Sequence, residues 1–218
     1  MSILTSRARR AVVGLAIVAV AAGTALTASA ASSKVHSTTF PLFPNAGQLN
    51  CLAQPGKTPV ANATVTRGNR NDTLTLHVRN LKPHLAFDLF TTQFAPFLSN
   101  GQPNPDFVNG SFGMAWYQSD LQADSDGKAE VTIKTILLDQ IFGFDATTGL
   151  PPTNTFNVGF WFNNPADAAP CGFTGFTPFN GEHHAGPFAM ITRVDPTTRL
   201  GPLCTDSESP PPGFLCNP

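Results

Sequence analysis

Hydrophobic and polar residues alternate with a period of two along much of the chain, the pattern of half-buried β-strands. In residues 72–81 every second position is apolar, and His77 is one of the polar positions between them. Residues 128–135 repeat this alternation, and in residues 155–163 the apolar positions form a ladder of Phe and Val side chains. Weaker alternation predicts further strands over residues 60–67, 85–93, 112–122 and 188–194. The sequence therefore predicts about seven strands and almost no helix.

Short turn sequences separate these strands, as hairpin connections require. Residues 67–72, 82–84 and 124–127 are rich in Gly, Pro, Asn and Asp. Seven strands with short turns predict an all-β fold, an antiparallel immunoglobulin-like β-sandwich. Two long loops interrupt it, residues 94–111 and 165–187, and loops of that length in a compact domain are usually functional or disordered. Their Phe residues indicate that they pack on the sandwich.

The N-terminus has the three parts of a secretory signal peptide. Arg7, Arg9 and Arg10 precede the apolar residues 11–23, and Ala28-Ser29-Ala30 supplies the small residues of a cleavage site. The apolar stretch is too short for a comfortable membrane span, although an uncleaved anchor is the alternative. We therefore expect a secreted, extracellular protein with no transmembrane segment after cleavage. The predicted organisation is a signal peptide over residues 1–30, an extended segment over 31–59, the sandwich over 60–204 and a Pro-rich tail over 205–218.

Charge argues against two classes of partner. The chain has 13 basic and 14 acidic residues, and only 12% of its residues are charged. Removing residues 1–30 takes away three arginines and no acidic residue, so the remaining net charge is 10 − 14 = −4. A mildly acidic protein with few lysines has no electrostatic reason to bind nucleic acid or anionic lipid.

Four cysteines, an even number in a chain with an export signal, predict two disulfides. Three pairings are open; we favour Cys204–Cys216, which would hold the Pro-rich tail, and hence Cys51–Cys171. A structural zinc site is not favoured, because the sequence contains no Cys-x-x-Cys pair.

Three stretches resemble a group of uncharacterised exported proteins of high-GC Gram-positive bacteria. They are DTLTLHVRNLKPHLAFDLFTTQ, FGMAWYQSDLQADSDGKAEV and FNVGFWFNNPADAAPC, and the likeness extends from about residue 61 to residue 191. The resemblance implies export and a single β-rich domain. It implies no activity, and no catalytic residue is transferred by it.

The strongest candidate for metal chemistry is Glu182-His183-His184 in the second long loop. Imidazole is the commonest metal ligand in proteins, and a loop can direct two rings at one ion. His77, His84 and Asp88 are additional candidate ligands on or beside neighbouring strands. The alternative is a polar loop with two solvated histidines and no cofactor.

Aromatic residues supply a candidate ligand-binding platform. Trp116, Tyr117 and Trp161 could stack on a sugar if exposed together, whereas burial in the core of the second sheet is the alternative that we favour. Asp88 lies among apolar residues, which indicates a hydrogen-bonded structural carboxylate more than a catalytic one. No Gly-x-Ser-x-Gly motif is present, and acidic residues suited to paired catalysis are few.

These observations predict a non-enzymatic extracellular module that binds a protein, a glycan or a cell-envelope component, because binding residues on sandwich folds usually lie in loops. The first alternative is a metal-dependent extracellular enzyme centred on His183 and His184. The second is a structural protein of the envelope surface.

Overall fold

A computed structural model describes residues 37–66, 71–135, 143–145, 150–153, 155–175 and 185–204. The described residues all belong to one compact unit. The predicted signal peptide over residues 1–30 and the tail over 205–218 lie outside the described residues. None of the described helices is long and apolar enough to cross a membrane.

The described chain is mostly antiparallel β-structure with a few single-turn helices. All seven predicted strands are confirmed, and four further strands are present. The strands are β1 (Ser37–Pro44), β2 (Val60–Thr66), β3 (Asp72–Arg79), β4 (Ala86–Thr92), β5 (Ala115–Gln122), β6 (Ala129–Thr135), β7 (Gly143–Asp145), β8 (Leu150–Thr153), β9 (Thr155–Phe162), β10 (Phe188–Ile191) and β11 (Leu203–Cys204). The helices are α1 (Leu49–Leu52), α2 (Pro165–Ala168) and 3-10 turns over Ala46–Gln48, Val108–Gly110 and Ala169–Cys171.

Eight of these strands form one nearly closed, barrel-like sheet in the order β5-β4-β9-β10-β1-β2-β3-β6. Strand β11 pairs with the start of β9, and β7 and β8 form a separate hairpin. The predicted seven-stranded immunoglobulin-like sandwich is not confirmed. The reason is β1: Ser37–Leu42 pairs with β2, whereas Phe43 and Pro44 pair with β10, so one strand joins what would otherwise be two sheets.

The alternation seen in the sequence fills the inside of this sheet, here called the inner core. Leu74, Leu76 and Val78 of β3 point inward and are buried. His77 lies on the solvent-exposed face of the strand, as predicted. In β9 the inward positions are Phe156, Val158, Phe160 and Phe162. The Phe87 ring of β4 packs edge-on against Phe160, with 5.0 Å between ring centres. Burial of such side chains is the main favourable free energy of folding.

The turn between β5 and β6 joins the two end strands of the sheet order. The Asp124 carboxylate accepts hydrogen bonds from the backbone N–H groups of Asp126 and Lys128, each at 2.8 Å. These bonds lower the pKa of Asp124 below its usual 3.8, and the bond from the Lys128 N–H has the largest effect. Gly127 has φ +72°, and a Cβ there would collide with the Leu81 carbonyl oxygen. These contacts and the positive φ of Gly127 are those of a tight hairpin turn, as the Asp-Gly sequence predicts.

A disulfide joins Cys51 in α1 to Cys171 in the turn after α2, which confirms this predicted pair. The two cysteines are 120 residues apart, and closing a loop of that length removes much entropy from the unfolded chain. Cys204 lies in β11, and its predicted partner Cys216 is outside the described residues.

Candidate binding face

The insertion between β4 and β5, residues 93–114, covers the outside of the sheet over β4, β9 and β10. It forms a second apolar cluster there, here called the outer core, because outward-facing residues of the strands meet residues of the insertion. Its buried members are Phe90, Ala95, Leu98, Trp161, Ala185, Ile191 and Val194, with Phe112, Ala115 and Phe188 packed against them.

Trp161 is the centre of the outer core. Its exposed fraction is 0%, and its ring lies edge-on to Phe90 at 5.4 Å and to Phe112 at 5.1 Å between ring centres. Phe112 also contacts Phe107, so the insertion is held to the sheet by a chain of aromatic contacts. Edge-to-face pairs of this kind add about 0.5–1.5 kcal/mol each beyond the apolar area that they bury.

Buried polar groups hold the ends of the insertion. The Asn157 amide donates to the backbone carbonyl of Gln93 at 3.2 Å and accepts from the Thr192 hydroxyl at 3.0 Å. The Gln93 side-chain oxygen accepts the Met114 N–H at 2.8 Å, which ties the two ends of the insertion together. Within it, the Asn104 amide donates to the Ala95 carbonyl at 2.8 Å. The insertion is therefore an ordered part of the fold.

The insertion leaves the outer face of β5 in contact with solvent. Tyr117 of β5 is 55% exposed. Its ring packs edge-to-face with the ring of Phe90, with 5.7 Å between the ring centres. The pairing of β4 with β5 shifts by one residue between Leu89 and Phe90, so that Phe90 lies opposite Tyr117 and Asp88 lies opposite Asp120. The Tyr117 hydroxyl donates a hydrogen bond to Asp120 Oδ1 at 2.8 Å.

Negative charge surrounds the Tyr117 hydroxyl. Partial burial, the hydrogen bond to Asp120 and the charges of Asp120 and Asp88 raise the pKa of Tyr117 from 10.0 to about 12. Tyr117 therefore stays protonated throughout the physiological range, and its hydroxyl remains a hydrogen-bond donor. Asp88 is only 1% exposed, and its carboxylate accepts a hydrogen bond from the Asn163 amide at 2.8 Å.

The three aromatic candidates from the sequence lie in three different environments. Trp116 is half-buried and points inward, with its ring 5.2 Å from that of Phe156. Trp161 is enclosed in the outer core, and Tyr117 is exposed. The structure therefore brings no second ring of this set beside Tyr117 at the surface.

The metal-binding candidates are not brought together in the described part of the chain. Glu182, His183 and His184 lie outside the described residues. His77 Nδ1 lies 3.0 Å from Glu130 on the exposed face of β3 and β6. His84 lies in the connection before β4, and Asp88 is buried on the other half of the sheet. Among the described residues no group of three His, Cys, Asp or Glu side chains could hold a metal ion.

The sequence analysis did not identify Asp120 or Val108, and it predicted that Phe97 packs on the sheet together with the other Phe residues of the loops. Of the large hydrophobic side chains in the described residues, three are exposed: Tyr117, Val108 at 51% and Phe97 at 36%. All three belong to the insertion or to β5, which follows it. The distribution of charge along the sequence could have drawn attention to Asp120, because residues 86–122 contain Asp88, Asp106 and Asp120 and no Lys, Arg or His.

Comparison of the chain with protein-family models, curated proteins and solved structures gave no match.

Proposed function

We propose that this protein is an extracellular binding module that attaches to a cell-envelope surface through the outer face formed by the insertion and β5. One observation carries the proposal: the exposed large hydrophobic side chains of the described residues, Phe97, Val108 and Tyr117, all belong to this one part of the chain. Exposed apolar side chains concentrated in one segment of an otherwise well-packed domain support a binding role for that segment.

Export is part of the proposal, and it has two supports. The first is the arginine-rich, apolar and small-residue sequence of residues 1–30, which is typical of a signal peptide. The second is the Cys51–Cys171 disulfide, since such bonds persist in oxidising compartments outside the cytosol.

Rigidity of the face supports binding over a purely structural role for the insertion. Its ends are fixed by the Gln93 and Asn157 hydrogen bonds, and its aromatic residues pack on Trp161. A surface that is ordered before it meets its partner loses little conformational entropy on binding. The arrangement therefore suits recognition of a preformed target.

Co-sedimentation with isolated cell envelopes of the producing organism tests the proposal. We expect the wild-type protein to sediment with envelopes and the double variant Val108→Ser, Tyr117→Ala to bind at least about tenfold more weakly, because both exposed apolar contacts are lost. A matched double variant on the exposed face of β6, Thr132→Ala with Lys134→Ala, is expected to bind like the wild type.

Equal thermal stability of the three proteins would show that the face, and not folding, is changed. Wild-type protein that stays in the supernatant, or equal losses in both double variants, would overturn the proposal.

A further inference from the structure

Charge is distributed unevenly over the described part of the molecule. Residues 86–122, which include β4, the insertion and β5, hold three aspartates and no basic residue. The four described lysines lie in β6 or in connections next to β2, β3 and β6; they are Lys57, Lys82, Lys128 and Lys134. Asp106 of the insertion is paired with Arg199, at 3.7 Å between Oδ2 and Nη1, and Asp120 is the charged residue of β5. The surroundings of Tyr117 on β5 are therefore acidic, in contrast to the lysine-bearing half of the sheet.

On this acidic face, Tyr117 and Asp120 form a pair with a defined geometry. The edge-on contact with Phe90 and the hydrogen bond to Asp120 hold the Tyr117 ring in place while more than half of the side chain remains exposed. The Asp120 carboxylate is exposed beside it and uses Oδ1 for the tyrosine hydroxyl. Asp88, directly across from Asp120, adds negative charge behind the pair.

An organic cation can interact with both the Tyr117 ring and the Asp120 carboxylate. The face of an aromatic ring attracts an ammonium or guanidinium group, and a neighbouring carboxylate accepts its hydrogen bonds. The aliphatic stem of a Lys or Arg side chain can pack on apolar surface while its charged end reaches the carboxylate. An anionic polymer would instead be repelled by Asp88 and Asp120.

Resting on the proposed function, we propose that the pair of Tyr117 and Asp120 binds a lysine or arginine side chain of an envelope protein. The charge complementarity of the face identifies this partner chemistry. The apolar surface of the insertion contributes area, and the pair selects a basic residue.

Tyr117 is the only tyrosine of the chain, so it can be observed alone. Protein labelled with 13C in the tyrosine ring would show a single ring signal by NMR. The probes are an acetylated Gly-Lys-Gly-Lys-Gly peptide and the same peptide with both lysines acetylated on Nζ. We expect the first peptide to shift the signal to saturation and the second, which keeps the stem and loses the charge, to leave it unmoved.

Two charge variants make the result specific. Asp120→Asn is expected to weaken binding of the lysine peptide by about threefold to fivefold, in keeping with an exposed ion pair. Glu130→Gln removes the same charge on the exposed face of β6, and it is expected to leave the affinity unchanged. Affinity is also expected to fall when salt is raised from 50 to about 300 mM.

Several outcomes would overturn the inference. An equal shift of the Tyr117 signal with the peptide whose lysines are acetylated on Nζ would show that the lysine charge is not recognised. Equal weakening of binding by Asp120→Asn and Glu130→Gln would show attraction to the net charge of the protein only. A signal that responds to soluble envelope oligosaccharides and not to the peptide would identify a glycan platform.

The envelope assay separates this inference from the proposed function. Loss of envelope binding in the Val108→Ser, Tyr117→Ala variant, together with a Tyr117 signal that ignores the lysine peptide, would leave the function standing and reject the basic partner. Envelopes digested with protease are expected to lose binding, whereas binding that survives protease and is abolished by muramidase would also reject a protein partner.

Discussion

The inner and outer cores are built on opposite sides of the same strands, and they are built differently. The inner core draws on every strand of the barrel-like sheet, and its side chains follow from simple alternation. The outer core covers mainly β4, β9 and β10, and it depends on one insertion held by particular amide and aromatic contacts. The sheet as a whole therefore supplies stability, whereas the outer core fixes the position of the candidate binding face.

Phe160 and Trp161 offer the sharpest test, because they are neighbours in β9 that point to opposite cores. Replacing Phe160 by Ala removes a fully buried ring that contacts Phe87. We expect the free energy of unfolding to fall by about 4 kcal/mol, because a cavity remains in the inner core. Urea denaturation followed by far-UV circular dichroism measures this loss. A loss below about 1 kcal/mol would contradict the view that the inner core carries global stability.

Trp161→Ala is expected to lower the free energy of unfolding by about 3 kcal/mol, because the ring contacts to Phe90, Phe112 and Phe188 are lost. Its distinctive effect is local opening of the insertion. Hydrogen exchange should accelerate for backbone amides of residues 93–114 well before those of β2 and β3. Uniform acceleration over both regions would show that the two cores unfold as one unit.

Asn157→Ala is expected to have the smallest effect, a loss of about 2 kcal/mol. The change leaves the Gln93 carbonyl and the Thr192 hydroxyl without this partner at a buried site. Thermal unfolding measures the loss, and Asn62→Ala, at an exposed position in β2, is the control. If Asn157→Ala unfolds at the wild-type temperature, the buried hydrogen bonds do not anchor the insertion.

The two cores also differ in how well the sequence predicts them. Alternation in residues 72–79 and 155–162 placed the inner-core side chains correctly, because the side-chain direction of a strand depends only on its backbone period. The same period placed Trp161 on the face opposite the Phe ladder. It could not show that the insertion would enclose that face, since enclosure depends on contacts such as Phe112 with Trp161 that span many residues.

The sequence predicts no strand at β1 and indicates only an extended segment there. Pro41 and Pro44 lack the N–H group that a central strand donates, so they obscure its strand character. Its pairing with both β2 and β10 is a long-range property, and the immunoglobulin-like arrangement was predicted without it.

The candidate site was predictable in part. Tyr117 was identified by residue type, and Asp88 by its apolar surroundings. Asp120 was missed because its role depends on the one-residue shift in pairing between β4 and β5, which places it opposite Asp88. The metal-site prediction on Glu182, His183 and His184 stays a prediction, since those residues lie outside the described part of the chain.

The double pairing of β1 has a consequence for how the protein folds. Phe43 pairs with Ile191, so β1 is completed by a strand that lies far later in the sequence. Contacts between residues so distant in sequence must bear the entropy of closing a long loop before they gain stability, and proteins rich in them fold slowly. Until residue 191 is available, the end of β1 and the free edge of β9 remain open to pairing with other chains. We therefore expect folding to be slow, and the chain to be open to aggregation until β10 has paired with β1.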